Sequence, residues 1–388
     1  MNVLLTSRLY PNSSAPERGS FVHNQARFLA ELCELEVLSP IPFFPRLPGM
    51  GRWSDLGHVG AREEMDGLSV RFPRYFSPPR RLLFSSAWRS YLRALEKSDT
   101  SPPDLIHAHL AYPDGRAAVE YGRRLGVPVI ISVHGHDVRE IPQANRRWRQ
   151  LVSEALVRAD AVVASSRDAR ARVIELGADP ARVYDIPQGV DCQHFVPTAG
   201  RKAGAGGWRL LYAGRFDPKK GLGVLIDAMH LLCKRRRDIS LKLVGGSRAG
   251  GTGELFSQQA HRLGIEDRVE FVDAQPWAEM PAVMAEPDLF VLPSFYDSFG
   301  IVLIEAMACG VPVVATRCGG PEDLVDDEVG RLVDVGDAAG LAAAIEEVLD
   351  DYSRFDRAAL RRRAEETYDY RQVAARTLAL YEQVQGKK

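Results

Sequence analysis

The feature of this sequence that most constrains the fold is a run in its last third, which has the pattern strand, loop, helix, turn, strand. Residues 288–292 are apolar and stop at a proline, as a buried strand does. Ser298 or Asp297 can cap a helix over 300–309, which a glycine ends. The β-branched residues 311–316 predict the next strand. Two such strands joined by a helix are the unit of a parallel α/β sheet.

The start of that helix is a candidate phosphate site. The N–H groups near Gly300, Ile301 and Val302, with the positive end of the helix dipole, suit an anion at the carboxyl edge of a parallel sheet. Asp297 lies in the preceding loop, and we expect Glu305 to face the same cleft. Carboxylates accept hydroxyl donors, and a sugar nucleotide has hydroxyls on both sides of its diphosphate. The alternative interpretation is an ordinary βαβ unit with two surface acids.

The whole chain alternates strands and helices, and the alternation restarts after a Gly-rich basic stretch. That stretch, 198–207, is the clearest linker, and no strand precedes its glycines. We therefore predict an N-terminal Rossmann-like domain over 1–197 and a C-terminal one over 208–367. Residues 368–388 form a last helix. The fold class is α/β, with two doubly wound parallel sheets.

Composition excludes several classes of protein. The 388 residues are 45% apolar and 26% charged, as in soluble globular proteins, and the net charge of −1 gives no general case for nucleic-acid binding. Five cysteines without paired spacing argue against a disulfide framework or a zinc site and fit a reducing cytoplasm. No run reaches the roughly 18 apolar residues of a membrane span, and the start of the chain is too short an apolar run for a signal peptide.

Two further turns are candidates for phosphate contact. Arg215 and Lys220 follow a strand at the start of a helix, where cations oppose the dipole, so they are expected to face a ligand. Gly19 and Ser20 lie where the first strand–helix turn meets its helix. For this second turn, an ordinary flexible turn is an equal alternative.

Histidines follow two buried strands. We expect His107 and His109, and likewise His134 and His136, to split to opposite faces, which argues against a metal site. His107 and His109 are more often core residues at such positions.

Residues 78–97 predict a basic amphipathic helix, with Arg80, Arg81, Arg89 and Arg93 among apolar residues. Such a helix can lie on an anionic membrane, but a solvated face over the core explains it as well. Residues 40–66, rich in proline and glycine, predict a long, partly apolar loop.

Four phrases in chain order resemble the retaining family-4 glycosyltransferases of GT-B architecture. They are the Gly19 turn, the phrase around His134, the Arg215–Lys220 turn and the opening run with its Gly-Gly-Pro-Glu turn at 319–322. The family signature is Glu, seven residues, Glu; this chain has Asp297 first and Glu305 second. Asp keeps the acceptor chemistry but is one methylene shorter.

The resemblance implies two Rossmann-like domains facing across a cleft, with the last helix crossing back to the first domain. It implies retaining, metal-independent sugar transfer from a nucleotide diphosphate sugar, with uridine diphosphate expected, and no cofactor. Arg215, Lys220 and the helix N–H groups would stabilise the leaving diphosphate. Glu305 would accept from the ribose, Asp297 from the sugar, and His134 would orient both substrates. The implied catalytic residues are His134, Asp297, Arg215 and Lys220, and the implied donor-binding residues are Gly19, Ser20, Gly300, Ile301, Val302 and Glu305.

The partners expected are this donor and a saccharide or lipid-linked saccharide acceptor. A looser resemblance to enzymes of bacterial exopolysaccharide and teichuronic-acid-type polymers suggests cell-surface polysaccharide or glycolipid synthesis, with peripheral contact to an anionic membrane at its cytoplasmic face. Three alternatives stay open: a nucleotide-sugar epimerase, a phosphorylase of related fold, and a non-catalytic sugar-nucleotide sensor, which the Asp297 departure favours.

Overall fold

The computed structural model divides the chain into two compact units. The first unit comprises Met1–Pro187 and Tyr370–Lys388, and the second comprises Gln188–Asp369. The division thus falls after Pro187, whereas the sequence analysis placed it after residue 197. Residues 199–202 of the predicted linker lie outside the described residues. The residues that the structure describes are 1–43, 56–198, 203–236, 238–246 and 251–386.

The first unit contains an eight-stranded sheet in the order β10-β9-β8-β7-β1-β2-β5-β4. Its pairs are parallel except for the hairpin between β4 and β5. The strands are β1 (Asn2–Thr6), β2 (Glu34–Leu38), β3 (Ile41–Phe43), β4 (Arg62–Met65), β5 (Leu68–Arg71), β6 (Arg74–Phe76), β7 (Leu105–His109), β8 (Val129–Ser132), β9 (Ala161–Ala164) and β10 (Val183–Asp185), of which β3 and β6 pair separately. The helices are α1 (Ser20–Ala30), α2 (Ala87–Glu96), α3 (Arg116–Leu125), α4 (His136–Ala144), α5 (Arg146–Arg158), α6 (Arg167–Glu175) and, at the end of the chain, α13 (Tyr370–Gln385).

The second unit contains a six-stranded parallel sheet in the order β13-β12-β11-β14-β15-β16. Its strands are β11 (Trp208–Ala213), β12 (Ile239–Val244), β13 (Val269–Val272), β14 (Leu289–Leu292), β15 (Val313–Thr316) and β16 (Gly330–Val333). Its helices are α7 (Leu222–Arg235), α8 (Gly251–Arg262), α9 (Met280–Ala285), α10 (Ile301–Ala308), α11 (Ala338–Asp350) and α12 (Arg357–Thr367).

Both sheets are doubly wound, which confirms the predicted fold class. The order of each sheet reverses once, between β1 and β7 in the first and between β11 and β14 in the second. Strand order reverses where consecutive crossover helices leave to opposite faces, so a crevice opens there at the carboxyl ends of the strands. The strands β8, β9, β14 and β15 are fully buried and mostly apolar, as sheets covered on both faces require. In each unit, ligand-binding residues are therefore expected at the reversal point.

The last helix, α13, belongs to the first unit. The ring of Tyr370 stacks on Phe28 of α1 with 5.4 Å between ring centroids. Tyr381 is fully buried and its hydroxyl lies 2.6 Å from Nδ1 of His107 in β7. Aromatic packing and a buried hydrogen bond thus hold α13 against the first sheet, although α13 follows the whole second unit in the sequence.

Two predicted elements of the first unit are wrong. The segment 78–97 is helical only from Ala87 to Glu96, and it is preceded by two short 3-10 turns, at 79–81 and 84–86. Arg80, Arg81 and Leu83 have positive φ, which no α-helix accommodates. In the predicted loop 40–66, the structure has the strands β3 and β4, and residues 44–55 lie outside the described residues.

Candidate active site

In the second unit, the candidate residues lie on the two loops at the sheet's reversal point. One loop follows β11 and carries Arg215 and Lys220 before α7 begins at Leu222. The other follows β14 and carries Asp297 and Gly300 before α10. Because β11 and β14 are adjacent in the sheet, the structure brings together residues that are distant in sequence.

A glycine sets how closely these two loops approach. Gly221 has φ +72°, and a Cβ atom there would lie 1.9 Å from the carbonyl oxygen of Pro293. Only a residue without a side chain permits that approach. It allows the N–H of Phe295 to donate to the carbonyl of Lys219 at 2.9 Å. The two loops are therefore joined by backbone contact, beyond what the sheet alone imposes.

The joined loops place Lys220 against Asp297. The Lys220 ammonium Nζ donates to Asp297 Oδ2 at 2.8 Å, and both side chains are mostly buried. Each of them was a separate donor-site candidate in the sequence, and their pairing was not predicted. An ammonium has three N–H donors, so Lys220 can hold Asp297 and still donate to a phosphate oxygen. The pair fixes the direction of a side chain that is otherwise flexible.

A second glycine turn supports Asp297 from the other side. The N–H of Gly320 donates to the Asp297 carbonyl at 2.8 Å. A Cβ atom on Gly320 would lie 2.2 Å from Cα of Phe299, so the turn at 319–322 must begin with small residues. Glu322 closes this turn by accepting from the N–H of Gly319 at 3.0 Å. The Gly-Gly-Pro-Glu phrase thus supports the loop that carries Asp297.

The helix that follows has an open N-terminus. Its N-cap is Gly300, with φ +94° and no side-chain cap hydrogen bond, so the predicted cap by Ser298 or Asp297 is wrong. Asp297 Oδ1 instead accepts from the N–H of Phe299 at 3.3 Å, one residue short of the helix. The N–H groups of Ile301 and Val302 in the first turn have no intrahelical acceptor. They keep the capacity for an anion that the sequence predicted.

The remaining donor-side residues differ in environment. The Arg215 side chain is exposed, and among the described residues no carboxylate pairs with it. Glu305, about one turn into α10, is half-buried, and desolvation raises the pKa of its carboxyl to about 7. Within the described part of the chain its carboxyl has no hydrogen-bond partner. A carboxyl in this state gains when hydroxyl donors solvate it, since they favour the charged form.

In the first unit, the reversal point lies between β1 and β7. Gly19, with φ +71°, precedes α1 at Ser20, and a Cβ atom there would lie 2.4 Å from the carbonyl oxygen of Leu9. The loop after β1 is held from the other side by Asp114, which is fully buried and accepts from the N–H of Arg8 at 2.6 Å. The glycine turn is therefore tightly packed against the loop, and the interpretation of it as a merely flexible turn does not fit.

Three histidines form one cluster at the edge of the first sheet. The rings of His107 and His109 lie 4.5 Å apart, so the prediction that they split to opposite faces is wrong. Residues two apart in a strand share a face. His134 follows β8, and its Nε2 lies 3.0 Å from Nδ1 of His109. Burial lowers the pKa of His107 to about 3 and that of His134 to about 4, so both are neutral near pH 7.

The contacts of His109 fix the proton positions. Its Nε2 is buried without a hydrogen-bond partner, and burial lowers its pKa as well. A buried N–H without an acceptor costs more than a bare lone pair, so we assign the proton of His109 to Nδ1. Nδ1 then donates to His134 Nε2, and His134 carries its own proton on Nδ1. In this tautomer His134 is a hydrogen-bond donor from Nδ1.

Sequence reasoning missed the residues that position His134. Asp137 is fully buried; its Oδ1 accepts from the His134 N–H at 3.0 Å and its Oδ2 from the Ala111 N–H at 2.7 Å. It thereby joins the loops after β7 and β8. The aspartate three residues after a histidine was itself the signal, since an acidic side chain at that spacing can accept backbone N–H groups. His136 turns outward instead and contacts Arg81 and Glu140.

The described residues hold neither a metal-binding cluster nor a membrane-spanning helix. No three histidine, cysteine, aspartate or glutamate side chains group as a metal site would within those ranges. Among the same residues, no helix combines the length and apolar character needed to cross a membrane.

The chain belongs to the group 1 glycosyltransferases. Residues 201–367 match the family described as Glycosyl transferases group 1, and residues 19–194 match Glycosyltransferase Family 4. The two matches fall on the two units and include the loops described above. The chain is therefore an enzyme that transfers sugar from a nucleotide-sugar donor, as the resemblance implied.

Individual relatives agree with this assignment. The chain is 32% identical over 297 residues to the D-inositol 3-phosphate glycosyltransferase of Paenarthrobacter aurescens, covering 72% of each. It is 34% identical over 250 residues to the GDP-mannose-dependent alpha-(1-6)-phosphatidylinositol monomannoside mannosyltransferase of Mycolicibacterium smegmatis, covering 60% of this chain and 64% of that one. The sucrose-phosphate synthase structure from Thermosynechococcus elongatus superposes with TM-score 0.78 at 23% identity over 100% of both chains. The Anabaena HepE structure with UDP gives TM-score 0.75 at 20% identity, over 99% of this chain and 100% of that one. These two structures confirm the GT-B fold.

Proposed function

We propose that the protein transfers a sugar from a uridine diphosphate sugar to an acceptor hydroxyl, with retention of anomeric configuration and without a metal. The observation that carries this proposal is the convergence of Lys220, Asp297 and the open N-terminus of α10 at one reversal point. The arrangement offers a cation and free N–H groups to a diphosphate and a carboxylate to sugar hydroxyls. We retain the predicted donor roles of Gly19 and Ser20.

The reaction needs charge stabilisation at the leaving group. The bond between the anomeric carbon and the diphosphate oxygen breaks, and negative charge builds on that oxygen. Lys220, Arg215 and the N–H groups at Ile301 and Val302 would stabilise this charge without reorganising. Removing one such contact is expected to cost about 10²–10³ in turnover. Because protein cations supply this stabilisation, we propose that the enzyme stays active in a chelator.

Retention follows from attack on the same face. The acceptor oxygen bonds to the face from which the diphosphate departs, and its proton passes to the departing phosphate oxygen. His134, neutral and protonated on Nδ1, would donate a hydrogen bond to the sugar or acceptor rather than act as a base. A double displacement would instead need a carboxylate beneath the anomeric carbon, and we assign none.

The acceptor we propose is a saccharide or lipid-linked saccharide of cell-surface polysaccharide or glycolipid synthesis, used at the cytoplasmic face of the membrane. A relative named for a phosphatidylinositol monomannoside supports a lipid-linked acceptor. The relative named for D-inositol 3-phosphate supports testing small phosphorylated polyols beside it.

The test starts with the donor and ends with the product. Thermal shifts with UDP and GDP, then with their sugars, identify the nucleotide; turnover with candidate acceptors in chelator follows. NMR of the purified product gives the anomeric configuration, and an inverted product refutes the mechanism. Donor incubated alone must come back unchanged, since an epimerised sugar would indicate an epimerase instead. Binding without turnover on any acceptor would favour the sensor interpretation.

A further inference from the structure

Two adjacent leucines of the first unit stand out in solvent. Leu82 is 62% exposed and Leu83 is 65% exposed, more than any other large apolar side chain of the described residues. The next residue, Phe84, is buried, and its ring packs edge-on against Tyr112 and Trp148 at 5.0 and 4.8 Å. The packed ring of Phe84 therefore fixes the segment next to the leucine pair, so the leucines are not exposed by fraying of a chain end.

The backbone at this point is strained. Arg80, Arg81 and Leu83 have φ of 56°, 59° and 57°, in the left-handed region that side chains with a Cβ disfavour. Such strain persists where surrounding contacts hold it, and it is concentrated at sites of function. Here it presents two leucines to solvent, and adjacent exposed apolar residues mark interaction sites.

Arginines without acidic partners lie on the leucine segment and on the first turn of α5, whose Trp148 contacts Phe84. Arg146 and Arg147 occupy the first turn of α5, which has no acidic residue and whose dipole repels them. Among the described residues, neither these two nor Arg80 forms an ion pair with a carboxylate. An arrangement that is unfavourable in the free protein becomes favourable when an anionic surface is present.

Contacts of Arg81 and Trp148 connect the start of α5 to the leucine segment. The guanidinium of Arg81 lies 5.5 Å from the ring centres of both Phe84 and Trp148, the latter in the first turn of α5. Trp148 Nε1 donates to Ser85 at 3.1 Å. Burial raises the pKa of the Tyr112 hydroxyl, and the charges of Arg147 and Arg89 oppose that shift. Arg81 also lies 3.2 Å from Nε2 of His136, whose Nδ1 contacts Glu140 at 3.2 Å.

A second exposed leucine of the same unit shows the contrast. Leu125, at the end of α3, is 44% exposed and follows Arg123 and Arg124. Both arginines there pair with carboxylates, Arg123 with Glu120 and Arg124 with Glu96. Its backbone φ is not positive. An exposed leucine beside arginines is thus not unusual in itself; strain and unpaired charge distinguish the segment at 80–83.

We propose that Arg80, Leu82, Leu83, Arg146 and Arg147 form a docking surface for an anionic lipid bilayer, called here the leucine patch. The leucines enter the boundary of the acyl region, and the arginines contact lipid phosphates. This inference deepens the membrane location put forward under the proposed function and rests on that part of it. It places the contact on a strained turn and a helix start, where the sequence predicted one amphipathic helix.

Flotation of the full chain tests the proposal. Vesicles of phosphatidylglycerol mixed with phosphatidylcholine are compared with vesicles of phosphatidylcholine alone, for the wild type, L82S/L83S, R146Q/R147Q and the control L125S. We expect the wild type and L125S to float with the anionic vesicles, less so as salt rises. We expect roughly fivefold weaker partition per arginine removed and roughly tenfold per leucine.

The outcomes are separable from those of the transfer reaction. Thermal shift with UDP must stay at the wild-type value in every variant, because none of the exchanged residues is assigned a donor role. A wild type that ignores anionic vesicles, or patch variants that float like the wild type, would overturn the lipid assignment and leave glycosyl transfer untouched. Self-association lost in L82S/L83S would assign the patch to a second copy of the chain instead.

Discussion

Replacing Gly221 by alanine should uncouple the two donor loops. A Cβ atom at this position lies 1.9 Å from the Pro293 oxygen, and such atoms do not approach closer than 3.0 Å, so the loops must separate by about 1.1 Å. The contact between Lys220 and Asp297 would lengthen from 2.8 Å to beyond hydrogen-bond range. A misplacement of about 1 Å at a catalytic constellation costs on the order of 10²-fold in rate.

The chain supplies a matched control for this variant. Gly264, between α8 and β13, has φ +65°, close to the +72° of Gly221, but a Cβ there would meet nothing within 4 Å. Both Gly→Ala variants should lose about 1–2 kcal/mol of folding stability, because a residue with a Cβ atom disfavours the left-handed backbone conformation. Only Gly221→Ala also introduces a clash, between the new Cβ atom and the Pro293 oxygen. Comparing the two variants therefore separates backbone strain from loop displacement.

The assay is kcat/KM for sugar transfer beside the free energy of unfolding in denaturant. We expect Gly264→Ala to lose stability and keep its activity, and Gly221→Ala to lose more stability together with about 10²-fold in kcat/KM. If Gly221→Ala transfers sugar as fast as Gly264→Ala, close contact between the two loops does not position the donor site.

Three other perturbations address single contacts. Lys220→Ala and Asp297→Asn should each lower turnover, and their double variant should lose less than the two effects combined, because one contact is removed twice; independent effects would contradict the pairing. The Glu305 carboxyl has a pKa of about 7 in the folded protein and about 4.5 in the unfolded chain, so the unfolded carboxyl ionises first. The stability of the wild type relative to Glu305→Gln should therefore fall as pH rises from 4.5 towards about 7, while donor affinity should rise through about 7. Calorimetry giving both proteins the same pH profile would count against this. His109→Leu should lower kcat, and His109→Asn, whose amide can still donate near the former Nδ1, should restore part of it. Nitrogen NMR of the wild type should place the His134 proton on Nδ1, and a proton on Nε2 would refute the assigned tautomer.

The fold could be predicted because its signals are local. Apolar runs that end at proline or glycine predicted β14 and β15, and the alternation of strands and helices predicted parallel sheets. Prediction was wrong where local sequence permits two outcomes. The residues before α2 have helical periodicity, but Arg80, Arg81 and Leu83 adopt positive φ. Periodicity carries no information about the sign of φ.

The candidate residues could be predicted, but their contacts could not. Strand order at a reversal point depends on pairing between distant segments, so Lys220 and Asp297 were separate candidates in the sequence and one ion pair in the structure. The histidines were misplaced for a simpler reason. Residues two apart in a strand share a face, so His107 and His109 belong together, and His109 lies in contact with His134.

The pairing of Lys220 with Asp297 gives the departure from the family signature a physical meaning. Asp297 is one methylene shorter than the usual glutamate, yet its carboxylate reaches Lys220 at 2.8 Å because Gly221 brings the two loops into backbone contact. A longer side chain on the same backbone would project past the ammonium or displace it. Asp297→Glu should therefore weaken donor binding in the wild-type background, and the shorter acid is suited to this loop spacing rather than a sign of lost catalysis. Tighter donor binding and faster transfer in Asp297→Glu would show instead that Asp297 is a compromised version of the family's carboxylate.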